Sequence, residues 1–306
     1  MTDLELQSHR ADLHRHTGWP AWDILNDLAT ESEAANTLGQ ITRWTGGFAG
    51  HWCYRGHADE CWLLVSSLHR ERKQITLAVG DGIHTTHPPF DARAHEASEL
   101  ADFQISEPTT NAPSDQLATM QHYGASTTSL DFSWSHHVAI WFALKDSMSG
   151  KHNDGSRKSS ALWAIDLDWL AKAGQAMIDN GDPHVIAIQD VKYPNPRMVA
   201  QKGVLLVNRS TERTFTESLL GMLVKSPIAA ERQVVSKLVV RRDRLIEMLQ
   251  DLEEMGIYHT SMLRPNTAVR RNAESARDRM QERTANEREQ FRESLRRRME
   301  SRTPRE

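Results

Sequence analysis

The chain has 306 residues, of which 39% are apolar and 25% charged, and its formal net charge is −4. This fits a soluble globular protein with a buried core, and no apolar run approaches the roughly 18 residues needed to span a bilayer. Two cysteines, Cys53 and Cys61, are too few for a disulfide framework and match no zinc spacing, so they read as buried thiols, and no metal site is expected.

The first 19 residues read as an extension without the apolar stretch of a signal peptide, which predicts a cytoplasmic protein with no membrane partner. Residues 20–45 carry apolar side chains at helical spacing, and the pattern stops at the Gly46-Gly47 pair. The run HWCYRG then alternates like a strand ending at Gly56, and CWLLVSSLHRER continues as a second apolar segment. Residues 79–93 are loop-like, EASELADFQI is helical in pattern, and Asp115 is placed to cap a short helix through LATMQHYG. STTSLDF reads as a short strand, and Val138, Ala139, Trp141, Phe142 and Leu144 as the buried side of the helix after it.

A polar loop, KDSMSGKHNDGSRKSS, leads to ALWAIDLDWL, a central strand turning into a helix. VIAIQDVKYP, KGVLLVNRS and QVVSKLVVR read as further strands, with helices over 213–225 and 243–255. Short β-branched runs alternating irregularly with helices predict an α+β fold with a mainly antiparallel sheet and surrounding helices. The C-terminal tail, 266–306, is a solvated helix or disordered segment with a thin apolar stripe. From Arg264 onward 13 Arg face 8 acidic residues, about +5, which leaves the body at about −9 and makes the tail the candidate surface for nucleic acid.

Three polar clusters sit at the edges of apolar elements. Arg55 lies at a strand end before Gly56, where a ligand can approach the backbone and a guanidinium can grip phosphate. His122 and Tyr123 bring an acid/base group and a ring suited to stacking to the turn at Gly124. Asp131 is a carboxylate in an apolar context that requires a cation or amides, while Ser133 or Ser135 is a candidate cap for the next helix. In the third cluster Pro196 starts a short helix, Arg197 and Gln201 lie four residues apart on one face, and Gly203 opens a strand. Together they suggest a single cleft.

Over roughly residues 20–265 the chain resembles the FRG-domain family. The resemblance rests on YRGHADECWLLVSSLHR, QHYGASTTSLDFSWSHHVAIWFAL, NPRMVAQKGVLL and MGIYHTSMLRP, in that order. Tyr54 stands where the family usually has Phe, Ser129 where it has Leu, and Phe132 where it has Trp, and Leu205 or Leu206 fills the last aromatic position. More distantly, a strand with hydroxyl residues followed by Ala-x-x-Phe resembles the mono-ADP-ribosyltransferases. That likeness implies an ADP-ribosyltransferase-like fold and NAD as substrate. Arg55 would hold its diphosphate, with Gly56, Tyr123, Ser133 and Arg197 as further contacts. Asp131, Gln201 and His122 would serve the reaction, with Glu231 an alternative carboxylate because the usual third-block Glu is absent. The acceptor would be nucleic acid, RNA first, or protein, and the chain a toxin of a defence or toxin–antitoxin system with a neutralising partner. Two other readings stay open: a non-catalytic nucleotide- or partner-binding module, and a metal-independent nuclease using His122, Asp131 and Arg55.

Overall fold

The computed structural model describes residues 34–60, 62–70, 96–98, 100–101, 103–104, 118, 121, 126–148, 159–192, 194, 196–210 and 213–263. In chain order its elements are α1 (Leu38–Gly46), β1 (Trp52–His57), β2 (Ser129–Ser133), α2 (His136–Met148), β3 (Ser159–Asp166), α3 (Leu167–Asp179) and β4 (Ile186–Gln189). They continue with α4 (Pro196–Ala200), β5 (Gly203–Asn208), α5 (Phe215–Lys225), α6 (Pro227–Glu231), β6 (Val235–Arg241), α7 (Leu245–Glu254) and α8 (His259–Met262). The six strands form one sheet in the order β4-β5-β2-β1-β3-β6, and each neighbouring pair is antiparallel. The fold is therefore mixed, with a mainly antiparallel sheet and flanking helices, as the alternation of short strands and helices predicts.

Helices cover both sheet faces, which explains why β3 and β5 read as continuous apolar runs. On one face Cys53, Leu130, Phe132, Trp163, Ile165 and Leu206 pack with Trp169 and Leu170 of α3 and Phe215, Leu219 and Leu220 of α5. On the other, Trp52, Tyr54, Leu162, Ala164 and Leu238 pack with Ile41 of α1, Val138, Ile140 and Leu144 of α2, and Met248 and Leu252 of α7. Each such side chain contributes about 1.5–3 kcal/mol on burial. From Ser160 to Asp166, β3 is buried at every position, and its middle, Ala161 to Ile165, is a continuous apolar run. Helix α2 lies between the sheet, α1 and α7, and so is apolar almost all round rather than striped.

Gly56 is fixed by this packing. A Cβ there would stand 1.9 Å from the Ala139 carbonyl oxygen and 2.8 Å from the Ala143 nitrogen, so β1 and α2 approach through the missing side chain. The expected helix over 20–45 is shorter in its described part. Ala35 is extended, pairs with Val240, donates to the Val239 carbonyl and accepts from Arg241 N. Thr37 then caps α1 by accepting from Gln40 N. The free edge of β6 is a stronger partner for this stretch than another helical turn, and pairing it covers an otherwise open strand. The helix ends at the predicted Gly-Gly pair, with Gly47 as the cap.

The 1–19 extension, the 79–93 loop, Cys61, Asp115 and the 266–306 tail lie outside the described residues. Cys53 is a buried free thiol, as expected. Among the described residues no helix is long and apolar enough to cross a membrane.

Candidate functional site

Strands β1 and β2 share a register at Tyr54 and Ser133, whereas β1 pairs with β3 at every position from Trp52 to His57. Among the described residues the β1–β2 ladder goes no further. Beyond that pair a side chain replaces it: Arg55 Nη1 donates to the carbonyl of Asp131.

Arg55 shares the face of β1 that carries Cys53, by the two-residue alternation of a strand. Across the sheet it stands opposite Trp163, which stands opposite Lys237, and Lys237 Nζ lies 5.3 Å from the Trp163 ring centroid. Arg55 Nε donates to His57 Nε2 at 3.2 Å, and His57 Nδ1 lies 3.2 Å from the Trp62 carbonyl oxygen. Burial lowers the Arg55 guanidinium to about 10, with the nearby Asp131 carboxylate acting in the opposite direction and Arg70 adding to the fall. His57 is pushed well below its ordinary value by burial first and by Arg55 second, with Lys237 and Arg70 adding to the effect. The guanidinium is thus held by two neutral acceptors, a carbonyl and an imidazole, and neither cancels its charge.

The remaining predicted residues divide. Asp131 is half-buried on β2 opposite Leu205, and its flanking residues Leu130 and Phe132 face the other core. Its side chain therefore projects from the opposite sheet face to that of Arg55, and the two residues meet where β1 and β2 part. Ser133 is buried and occupied: its hydroxyl donates to the Gln201 carbonyl at 2.7 Å and accepts from Ser135 N at 3.0 Å. It braces the turn into α2 against the α4–β5 turn rather than presenting its proton to a ligand. Gln201 is buried too, and its Nε2 donates to the Met262 carbonyl at 2.8 Å, tying α8 to the sheet. Arg197 lies one turn before Gln201 in α4, half-buried, and its carbonyl accepts from Gln201 N.

Of the expected single cleft, the polar groups of Ser133 and Gln201 are drawn into packing and the space at Gly56 is filled by α2. Glu231 is exposed at the end of α6, beside Arg232, which pairs with Asp166 opposite Trp52. It stands at the other end of β1 from His57, so Asp131 is the better placed carboxylate. His122 and Tyr123 lie outside the described residues.

The hydroxyl residues ahead of α2 also have a structural account. Thr127 Oγ1 donates to Gln121 Oε1 at 2.8 Å and accepts from Ser129 N, and Thr127 N donates to Ser67 Oγ. Thr128 donates to Glu96 Oε1 through both its backbone N (2.7 Å) and its hydroxyl (3.0 Å). These bonds satisfy Thr127 and Thr128 in a stretch that enters the sheet fully buried, while the Ser129 hydroxyl has no hydrogen-bond partner among the described residues.

Sequence reasoning did not single out His57, Glu96, Arg70 or Lys237. His57 had a signal, since it follows Arg55 by two residues and so shares its strand face. The others come from segments distant in sequence and carry no local signal.

No curated protein and no solved structure matches the chain. Residues 50–152, which include β1, β2 and α2, match the FRG domain.

Proposed function

We propose that the chain is an NAD-dependent ADP-ribosyltransferase that grips the diphosphate of NAD through Arg55. The observation that carries this reading is the guanidinium at the parting of β1 and β2, oriented by two neutral acceptors and so still charged toward an anion. Lys237 and Arg70, near enough to act on His57, add positive potential on the same side. Cleaving the nicotinamide–ribose bond leaves developing positive charge on the ribose, while the bonding pair departs with nicotinamide. A half-buried carboxylate beside that carbon stabilises such charge, and Asp131 is the residue to test.

The acceptor to test first is nucleic acid, RNA before DNA, on the strength of the Arg-rich tail, with protein second. An enzyme that modified either would act as a toxin in a defence or toxin–antitoxin system and call for a neutralising partner.

A second reading, a nucleotide-binding module without catalysis, is favoured by the use of Ser133 and Gln201 in packing. Incubating the full chain with NAD labelled in the adenylate, with and without RNA, separates the two. Label transfer that is lost in Asp131→Asn, with NAD binding retained, supports the transferase. Asn preserves the backbone carbonyl that Arg55 uses, so binding is expected to hold. NAD binding without transfer to RNA, DNA or lysate protein supports the module, and absence of NAD binding removes both.

A further inference from the structure

We infer that His57 is a positioning residue: its neutral ring, protonated on Nδ1, holds the Arg55 guanidinium in place at the gap between β1 and β2. The inference rests on the reading of Arg55 as the phosphate contact. An arginine N–H can only donate, so His57 Nε2, 3.2 Å from Arg55 Nε, must be the bare nitrogen. A carbonyl can only accept, so Nδ1, 3.2 Å from the Trp62 oxygen, must carry the proton. The two bonds demand the same tautomer and reinforce each other, and the Trp62 indole packs edge-on to the ring at 6.2 Å between centroids.

The choice of histidine follows from the electrostatics. Arginine has a long side chain with large rotamer entropy, and an anion site gains by fixing it beforehand. A carboxylate at position 57 would fix it and cancel its charge. A hydroxyl would be too short to reach from the same strand face two residues away. Imidazole gives a rigid neutral acceptor with a second nitrogen that anchors the ring. The charged groups around it are Arg55 on β1, Lys237 on β6 and Arg70 at the turn over residues 67–70, with buried Asp59 two residues along the chain. Three cations oppose a proton on the ring, so the acceptor persists through the neutral range.

The test uses the full chain and two readouts. In nitrogen NMR at neutral pH, with the His57 signals assigned by their absence in His57→Gln, the ring is expected to be protonated on Nδ1 and bare on Nε2. The Arg55 Nε–H is expected to exchange slowly. His57→Ala should abolish that protection and His57→Gln restore it, because an amide offers both an acceptor and a donor. With ADP-ribose as probe, His57→Ala should weaken binding about tenfold and His57→Gln recover most of the loss. A ring protonated on Nε2 in the wild-type chain overturns the inference. So does equal Arg55 Nε–H protection in His57→Ala, or wild-type ADP-ribose affinity in His57→Ala when Arg55→Ala has lost it. Wild-type affinity in Arg55→Ala itself overturns the phosphate reading, and with it the role given to His57.

Discussion

Arg55 and Gln201 are both polar, both at the edge of an apolar element and both within hydrogen-bond reach of a backbone carbonyl, yet their surroundings differ in kind. Gln201 donates its side-chain Nε2 to Met262 O and its main-chain carbonyl takes the Ser133 hydroxyl, so both groups meet buried partners. Arg55 is also held at two points, but by partners that leave its charge intact. A polar group whose needs are fully met inside the fold is explained by the fold. A cation whose hydrogen bonds go to neutral acceptors, with the Asp131 carboxylate offsetting only part of its desolvation, keeps charge that an anion can meet.

The sharpest way to break this contrast is at Gly56, next to Arg55 and on the packing side of the divide. Gly56→Ala is expected to lower the unfolding free energy by more than about 3 kcal/mol, because the new methyl meets backbone on α2 that cannot rotate away. Denaturant unfolding checks it, and a variant as stable as wild type would reopen Gly56 as a ligand approach.

Arg55→Ala should retain the fold and lose about 1.5–3 kcal/mol of NAD affinity, read by titration calorimetry. Arg55→Lys should recover only part, since a lysine ammonium cannot bond His57 and Asp131 O in the same fork and still face a phosphate.

Gln201→Ala is expected to cost about 1–3 kcal/mol of stability, because it leaves the Met262 carbonyl unpaired. Residual label transfer per folded molecule should be unchanged. A stable variant that has lost transfer would move Gln201 across the divide into the chemistry.

The smallest effect concerns pH. His136, at the start of α2, is held down to about 4 by burial and by His137, with the two rings 4.0 Å apart. The unfolded chain takes up this proton below about 6.5 and the folded chain only near the lower value. The contribution of His136 is therefore full above about 6.5 and is lost as pH falls toward 4. His136→Gln should make the melting temperature less sensitive to acid across that window.

Much of the order of elements was legible in the residues themselves. The alternation of HWCYRG, the close-spaced apolar positions of α2, the Gly-Gly stop after α1 and the turn from β3 into α3 are local signals of period and breakers, and each describes an element that formed. So was the position of Arg55 as a cation near the end of β1. Local pattern could not decide which partner each polar group would meet. Ala35 left a helical pattern because the edge of β6 was open to it. The hydroxyl of Thr128 was taken by Glu96, 32 residues away, and Gln201 by Met262, 61 residues away. His57 is anchored beside Arg55 by the carbonyl of Trp62, five residues on. Hydrophobic period is a property of neighbours in the chain, whereas satisfaction of a buried polar group depends on neighbours in space, and only the assembled six-stranded sheet with its two helical layers sets those.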